Sequence, residues 1–265
     1  MSSTIIGIST ICLYLISTSY MGKEFNQKTP SRIAITLAWL AVLSHTSYNI
    51  LLFSQNSSFN FSFFHTLSFI SSLVALLLLL ASITKPVEKL GIVIFPIAAI
   101  MLSLDMIFFA SNRSLQQYDW QMNIHILTSI TAFSLFSIAA LQAILLTIQD
   151  KRLKNHSTNS IIHALPPLQT METLLFQMIG TGLAFLTLSL ISGFVFIEDL
   201  FAQHLVHKTV LSIFAWLIFS GLLLGRIHYG WRGQTAMRWT LAGFISLLLA
   251  YLGSKFVLEL ILKIN

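Results

Sequence analysis

The sequence predicts an all-α protein: a polytopic transmembrane helical bundle of about eight helices, with both termini outside. Three observations predict this class. The 265 residues are 55% hydrophobic and only 9% charged, with a mean hydropathy of +0.81, whereas a soluble domain carries about 25% charged residues. Apolar stretches of membrane-spanning length recur along the chain, and basic residues concentrate in every second loop. We therefore expect a single integral membrane domain over residues 1–265.

Eight apolar stretches are candidate spanning helices, because about 20 apolar residues in a helix cross the hydrocarbon core. In chain order they are roughly 4–20, 32–54, 62–84, 90–110, 122–148, 172–196, 206–225 and 237–262. The first is the shortest, and we interpret it as an uncleaved span because no Lys or Arg precedes it. The connections contain no ATP-binding motif, which argues against a primary pump. The single cysteine, Cys12, excludes an intrachain disulfide.

The basic residues predict which loops are cytoplasmic. The loops after the first, third, fifth and seventh stretches hold eleven of the fifteen Lys and Arg residues. These are Lys23, Lys28, Arg32, Lys85, Lys89, Lys151, Arg152, Lys154, Arg226, Arg232 and Arg238. With eight spans, this alternation puts both termini outside. The net charge of +6 follows from cytoplasmic loops that meet anionic lipid, so it does not indicate nucleic acid as a partner.

Ionisable residues within the apolar stretches gather near the predicted outer face. Such residues cost a few kcal/mol each in lipid and usually mark function. They are His45, His65, Asp105, His125, His204, His207, Lys208, Lys255 and Glu259. His45 lies well inside the second stretch, about 20 Å along a helix that begins at residue 32. Most of the others begin or end a stretch at that face.

His125 and His207 begin two different stretches at the same predicted depth. Two neutral imidazoles from facing helices are the usual way to hold haem iron on both axial sides. Zinc or copper would need three or four nitrogen or sulfur ligands, so haem fits the number of ligands better. We therefore predict haem b as cofactor, with His125 and His207 on the iron and with His45 and Lys208 as further cofactor-binding residues.

Each of these polar residues could also have a purely structural role instead of binding a cofactor. A histidine at a helix end is often only an interfacial polar cap, and Lys208 either extends its amine to the interface or pairs with a haem propionate. Asp105 and the pair of Lys255 and Glu259 either pack as polar groups or form a proton path. Aromatic residues near the same face form either an ordinary interfacial belt or a platform for a porphyrin ring. They are Phe59, Phe61, Phe63, Phe64, Tyr118, Trp120, Phe194, Phe196 and Phe201.

Three segments carry a family resemblance. They are "HKTVLSIFAWLIFSGLLLGR" followed by "GWRG", which is the most specific, "MNIHILTSITAFSLFSIAALQAILL", and "FNFSFFHTLSFISSLVALLLLL". They resemble the cytochrome c assembly protein family, which includes CcsA-type and CcmC-type haem handlers and shorter YpjD/HemX-like integral membrane proteins. The resemblance covers residues from about 35 to 262. The second segment is similar to the family's histidine-bearing helix.

The resemblance implies a haem-binding protein with an accessory role in cytochrome c biogenesis, at the outer face of the bacterial inner membrane. Other cytochrome c maturation proteins are the implied partners. His125 is the implied ligand at the start of its helix, and His207 is typical of the YpjD/HemX branch. The family's tryptophan-rich signature is missing, and Leu224 and Leu262 stand where the family has histidines. These departures favour haem binding or an accessory role over haem delivery to an apocytochrome.

Two other functions stay open. The intramembrane charges and outer histidines also suit a transporter or an ion-transport partner. HemX-like relatives are linked to control of tetrapyrrole synthesis, in which case the loop 149–171 would bind a soluble enzyme. We expect no enzymatic activity of the chain itself, because no nucleophile is accompanied by a neighbouring base and an orienting third group.

Overall fold

The computed structural model describes residues 2–25, 32–56, 62–108, 120–155, 166–196 and 206–253. Within these ranges the chain forms eight α-helices and no strand. The helices are α1 (Ser2–Lys23), α2 (Arg32–Asn56), α3 (Phe63–Ser82), α4 (Gly91–Ile107), α5 (Trp120–Lys154), α6 (Leu168–Phe196), α7 (Val206–Tyr229) and α8 (Gly233–Leu248). A 3-10 turn, Glu88–Leu90, precedes α4, and a π-helical turn, Leu249–Gly253, follows α8.

The predicted all-α transmembrane bundle is confirmed. Helices α1 to α7 are each long and apolar enough to cross a membrane. The eighth predicted stretch, 237–262, begins in α8 and continues beyond the described residues. The orientation of the termini stays a prediction.

The chain divides into two compact units. Unit 1 is Met1–Gln117 with Thr158–Pro166, and unit 2 is Tyr118–Ser157 with Pro167–Asn265. Unit 1 therefore contains α1 to α4, and unit 2 contains α5 to α8. The prediction of a single membrane domain stays a prediction.

In unit 1, α1 packs against α2 and α4, and α3 packs against α4. Helix α2 has a buried stripe in which Ala34, Ala38, Ala41 and His45 are fully buried. Their spacing of three and four residues puts them on one face of the helix. Small side chains let helix backbones approach closely in a membrane. His45 continues this stripe, so the helical period places its imidazole inside unit 1.

In unit 2, a pair of aromatic rings lies at the point where four helices meet. Phe136 on α5 and Phe219 on α7 stack with ring centroids 3.9 Å apart and an interplanar angle of 12°. A Cβ added at Gly182 on α6 would lie 3.1 Å from the Phe136 ring, and one added at Gly243 on α8 would lie 2.8 Å from Phe219. Glycine therefore allows α6 and α8 to pack directly against the aromatic pair.

The "GWRG" segment is the turn between α7 and α8. Gly230 and Gly233 have φ of +64° and +54°, a region that glycine adopts without steric cost. The backbone N–H of Trp231 donates to the carbonyl of Gly225 at 3.2 Å. A Cβ at Gly225 would overlap the Trp231 ring. The turn therefore folds the indole back against the last residues of α7.

Charged residues concentrate at this same end of unit 2. Helix α5 has 35 residues, about 52 Å of helix, which is longer than the roughly 30 Å hydrocarbon core. Its last turn carries Lys151, Arg152 and Lys154. Arg226 near the end of α7 donates to a Glu172 carboxylate oxygen at 3.3 Å. The opposite end of the unit, where α5 and α7 begin and α6 ends, holds the histidines predicted as ligands.

Candidate functional site

His125 lies in the second turn of α5 and is oriented by α6. Its Nδ1 donates to the backbone carbonyl of Ser189 at 2.9 Å and lies 3.1 Å from the Ser192 hydroxyl. Because a carbonyl only accepts, Nδ1 carries the hydrogen, and Nε2 of the neutral ring has the lone pair. Nε2 has no hydrogen-bond partner among the described residues. Metal-ligating histidines are usually oriented in this way, through the nitrogen that does not ligate.

Helix α6 fits closely around this imidazole. A Cβ added at Gly193 would lie 3.1 Å from His125 Cε1. The Ser129 hydroxyl donates to the His125 carbonyl at 2.7 Å and hydrogen-bonds to the Ser189 hydroxyl at 2.6 Å. Ser189, Ser192 and Gly193 share one face of α6, since they are three and four residues apart. The ring is therefore fixed both by hydrogen bonds and by contact with the backbone.

A pocket opens beside the ring, lined by residues of α5, α6, α7, α8 and the π-helical turn after α8. Its apolar walls include Phe133, Phe194 and Leu247, and Lys208 and Tyr251 also line it. The ammonium nitrogen of Lys208 lies 4.9 Å from the centroid of the Tyr251 ring, a cation–π contact. No carboxylate belongs to the lining that the structure describes. The pocket thus combines apolar walls, an imidazole nitrogen and a cation.

The structure does not bring His207 into this pocket. Its side chain is exposed, whereas the next residue, Lys208, lines the pocket with His125. Successive residues of an α-helix point about 100° apart, so the two side chains cannot share one direction. The predicted facing of His125 and His207 across one haem is therefore not seen in the part of α7 that is described. Lys208 lines the same pocket as His125, and the roles of His207 and Lys208 in cofactor binding stay predictions.

His45 is fully buried in unit 1. Its Nδ1 lies 3.3 Å from the Tyr14 hydroxyl on α1, and its Nε2 lies 3.1 Å from the Ser68 hydroxyl on α3. Both ring nitrogens therefore have protein partners, which links three helices of the unit. An iron ligand at this position would have to displace one of these hydroxyls. The role of His45 in cofactor binding stays a prediction.

A second oriented imidazole lies in unit 1, at His65. Its Nδ1 donates to Asp105 Oδ2 at 3.0 Å, and the side chains of His65 and Asp105 are 10% and 1% exposed. His65 is in the first turn of α3, and Asp105 is in the last turn of α4. The sequence analysis did not pair these two residues. An acid inside an apolar stretch needs a partner, but His65 and Asp105 are 40 positions apart in the sequence, and nothing in the sequence pattern indicates that they meet.

Several predicted residues lie outside the described ranges. They are His204, Lys255 and Glu259 among the ionisable residues, and Phe59, Phe61, Tyr118 and Phe201 among the aromatic ones. Within the described ranges, no three or more His, Cys, Asp or Glu side chains come together as a site for a bare metal ion.

Comparison with known proteins gives a consistent set of relatives. The family model described as "Cytochrome C assembly protein" matches residues 32–262. The Escherichia coli inner membrane protein YpjD is 33% identical over 196 residues, which are 72% of this chain and 74% of that protein. The cytochrome c biogenesis protein CcsA of Guillardia theta is 28% identical over 200 residues, covering 68% and 64% of the two chains. The CcsA protein of Gloeobacter violaceus is 29% identical over 93 residues, 34% and 28% of the two chains.

No solved structure matches the chain. The family match covers most of the sequence, and the YpjD match exceeds 30% identity over more than two thirds of both proteins. With seven candidate spans among the described residues and this relationship to an inner membrane protein, the protein is a multi-pass protein of the inner membrane. The chain belongs to the cytochrome c assembly protein family.

Proposed function

We propose that this protein binds haem in the pocket beside His125 and has an accessory role in cytochrome c biogenesis. Membership of the cytochrome c assembly family supports the role in biogenesis. The observation that carries haem binding is the hydrogen bond from His125 Nδ1 to the Ser189 carbonyl. It leaves Nε2 as the only ring nitrogen with a lone pair, at the edge of an apolar pocket.

The pocket residues fit a haem in chemical terms. A bound haem would supply an iron that binds an imidazole nitrogen, together with a flat apolar ring that carries two carboxylates. His125 would hold the iron, while Ser189 and Ser192 would keep the imidazole in one orientation. Phe133 and Phe194 would pack against the ring and exclude water. Lys208 would pair with a propionate, which accounts for a cation in a pocket whose described lining has no acid.

We also propose that this pocket lies at the outer face of the membrane. The support is the distribution of charge along unit 2. The basic residues Lys151, Arg152, Lys154 and Arg226 lie at the ends of α5 and α7, whereas His125 and Lys208 lie at the starts of the same helices. Because basic residues favour the cytoplasmic side, the histidine end is expected outside.

The first experiment is an absorption spectrum of the detergent-purified protein, expressed with ample haem, in the oxidised and the dithionite-reduced state. We expect a Soret band in the wild type and its loss in His125→Ala. His228→Ala is the matched control, because His228 is an exposed histidine whose Nδ1 also lies 3.2 Å from a backbone carbonyl. A colourless wild type would overturn haem binding. His207→Ala and His45→Ala in the same series test the two remaining predicted residues.

The role of Lys208 has its own test. Purified haem-free protein is titrated with haem and with haem dimethyl ester, in which both carboxylates are esterified. We expect haem to bind about tenfold tighter or more, because a hydrogen bond to a charged group contributes about 1.5–3 kcal/mol. Lys208→Met should abolish this preference and Lys208→Arg should keep it. Equal affinities of the wild type for both ligands would contradict the pairing with a propionate.

A further inference from the structure

The pocket of unit 2 contains hydrogen-bond donors that are not used within the described protein. Lys208, Ser212 and Tyr251 all line it, and neither the amine nor the two hydroxyls have a hydrogen-bond partner among the residues that the structure describes. An ammonium group only donates, so its partner has to be an acceptor, and an anionic acceptor also balances its charge. We propose that Ser212 and Tyr251 complete, with Lys208, a subsite for a carboxylate of the bound porphyrin, which acts whether or not the porphyrin holds iron; this inference rests on the proposed function for the identity of the ligand.

The first support is the arrangement of α7. Lys208 and Ser212 are four residues apart, so they lie on one face of the helix, one turn from each other. Beside Ser212, the backbone carbonyl of Leu211 accepts a hydrogen bond from the Ser246 hydroxyl of α8 at 2.9 Å. This bond ties α7 to α8 at the level of the pocket. Both donors therefore reach the pocket from a helix that is held in place.

The second support is the position of the Lys208 amine. A lysine near a helix end often extends its amine to water, but here the ammonium nitrogen lies 4.9 Å from the centroid of the Tyr251 ring. That ring in turn packs against Phe133 of α5, with centroids 5.4 Å apart and an interplanar angle of 31°. A cation–π contact attracts the ammonium without neutralising it. Tyr251 thus holds the cation at the pocket and leaves its hydrogens for a ligand.

The third support is the backbone at Tyr251. This residue lies in the π-helical turn Leu249–Gly253. Such turns are rare in proteins and frequently occur at functional sites. Leu247 at the end of α8 and Tyr251 in the turn both line the pocket, so the irregular backbone forms part of the pocket wall.

The proposed subsite is separate from the proposed iron ligand. His125 belongs to α5 and is oriented by α6, whereas the three donors belong to α7 and to the turn after α8. A porphyrin without iron would still meet the three donors. We therefore expect the protein to bind metal-free protoporphyrin IX and to prefer it to its dimethyl ester, in which both carboxylates are blocked.

The test titrates the full-length, haem-free protein in detergent with protoporphyrin IX and with its dimethyl ester, followed by porphyrin fluorescence. The measured quantity is the ratio of the two dissociation constants, because a variant that only perturbs the fold weakens the binding of both ligands. The wild type should favour the free acid by about tenfold or more, since hydrogen bonds to a charged group are the stronger ones.

The variants divide the subsite into its parts. Ser212→Ala and Tyr251→Phe each remove one hydroxyl and should lower the ratio by about threefold or more. Tyr251→Leu should lower it further, because it also removes the ring beneath the Lys208 amine. His125→Ala should leave the ratio for the metal-free porphyrin unchanged.

Ser220→Ala is the matched control. Ser220 is a half-buried serine of α7 that does not line the pocket and has no hydrogen-bond partner among the described residues, and its substitution should leave the ratio unchanged. Equal wild-type affinities for acid and ester, or an unchanged ratio in Ser212→Ala or Tyr251→Phe, would overturn this inference, while loss of the haem Soret band in His125→Ala would still support the proposed iron ligand. The expected ratios together with a Soret band that survives in His125→Ala would overturn the iron ligand and leave the subsite standing. A wild type that binds neither haem nor protoporphyrin IX would overturn both.

Discussion

The two units orient an imidazole in the same way but with opposite electrostatics. In unit 1, the Nδ1 of His65 is held by a buried anion, Asp105. In unit 2, the Nδ1 of His125 is held by a neutral carbonyl, and the pocket beside it contains a cation, Lys208. A hydrogen bond at Nδ1 can therefore fix the orientation of a histidine whether the groups around the ring are anionic or cationic. Unit 1 therefore places its oriented histidine beside a buried anion, and unit 2 places its oriented histidine in a pocket with a cation.

The largest expected change in stability follows from removing the buried anion of unit 1. Asp105→Ala should lower the free energy of unfolding by about 3–5 kcal/mol, because removing one partner of a buried pair leaves the other buried without compensation. The measurement is unfolding of the detergent-solubilised protein by SDS, followed by far-ultraviolet circular dichroism.

A double variant tests whether the loss of stability comes from leaving His65 buried without its partner. His65→Leu with Asp105→Leu should recover much of the lost stability, because apolar replacement of both partners is often neutral. A loss of only about 1 kcal/mol in Asp105→Ala would mean that the pair behaves like an exposed one. The contrast between the two units would then be much weaker than the geometry indicates.

The fold could be predicted to a large extent because lipid imposes a simple rule. Each stretch of about 20 apolar residues must be helical to satisfy its backbone, and the eight predicted stretches correspond to α1 to α8. The helix ends were less predictable. Helix α5 continues to Lys154, several residues past the apolar stretch, because its basic last turns extend beyond the hydrocarbon core.

The candidate site was predicted in its residue types but not in its contacts. The sequence indicated that His125 and Lys208 lie at one end, and the structure brings both into one pocket. The sequence did not indicate that Ser189 and Gly193 orient the ring. Serine and glycine are common in membrane helices, and the spacing of these residues along α6 does not distinguish the two positions. The position of His207 and Lys208 at the start of a helix also could not indicate which of the two side chains faces the pocket. That distinction depends on the rotation of α7 against its neighbours, which packing determines.

The next effect concerns the backbone contact that holds His125. Gly193→Leu should weaken haem binding by about tenfold to a hundredfold, the range seen when the support of a metal ligand is lost. The reason is that a side chain at this position overlaps the imidazole, since a Cβ alone would lie 3.1 Å from Cε1. The measurement is a Soret titration of haem-free protein. Gly180→Leu is the matched control on α6, because nothing lies within 4 Å of its added Cβ; an equal loss in both variants would contradict a specific contact.

A smaller effect is expected from the hydroxyl beside His125. Ser192→Ala removes an oxygen 3.1 Å from Nδ1 but keeps the Ser189 carbonyl as acceptor. The stability should fall by only about 0.6 kcal/mol, the average for interhelical polar contacts in membranes. The haem spectrum should not change, because the ring keeps its orientation. A change of spin state in Ser192→Ala would show that the hydroxyl, rather than the carbonyl, determines how His125 presents Nε2.

The smallest effect is expected at an ion pair that resembles His65–Asp105 in distance but not in burial. Lys154 contacts Asp150 at 2.8 Å, one turn apart on α5, and the Lys154 side chain is 62% exposed. Lys154→Ala should cost about 0.3–0.5 kcal/mol in the SDS assay, because water screens exposed pairs and the lysine gives up side-chain entropy to form them. The cost should also shrink as salt is added, whereas the Asp105→Ala cost should not, since buried charges are screened much less. Equal costs for the two variants would mean that distance rather than burial governs the strength of ion pairs in this protein.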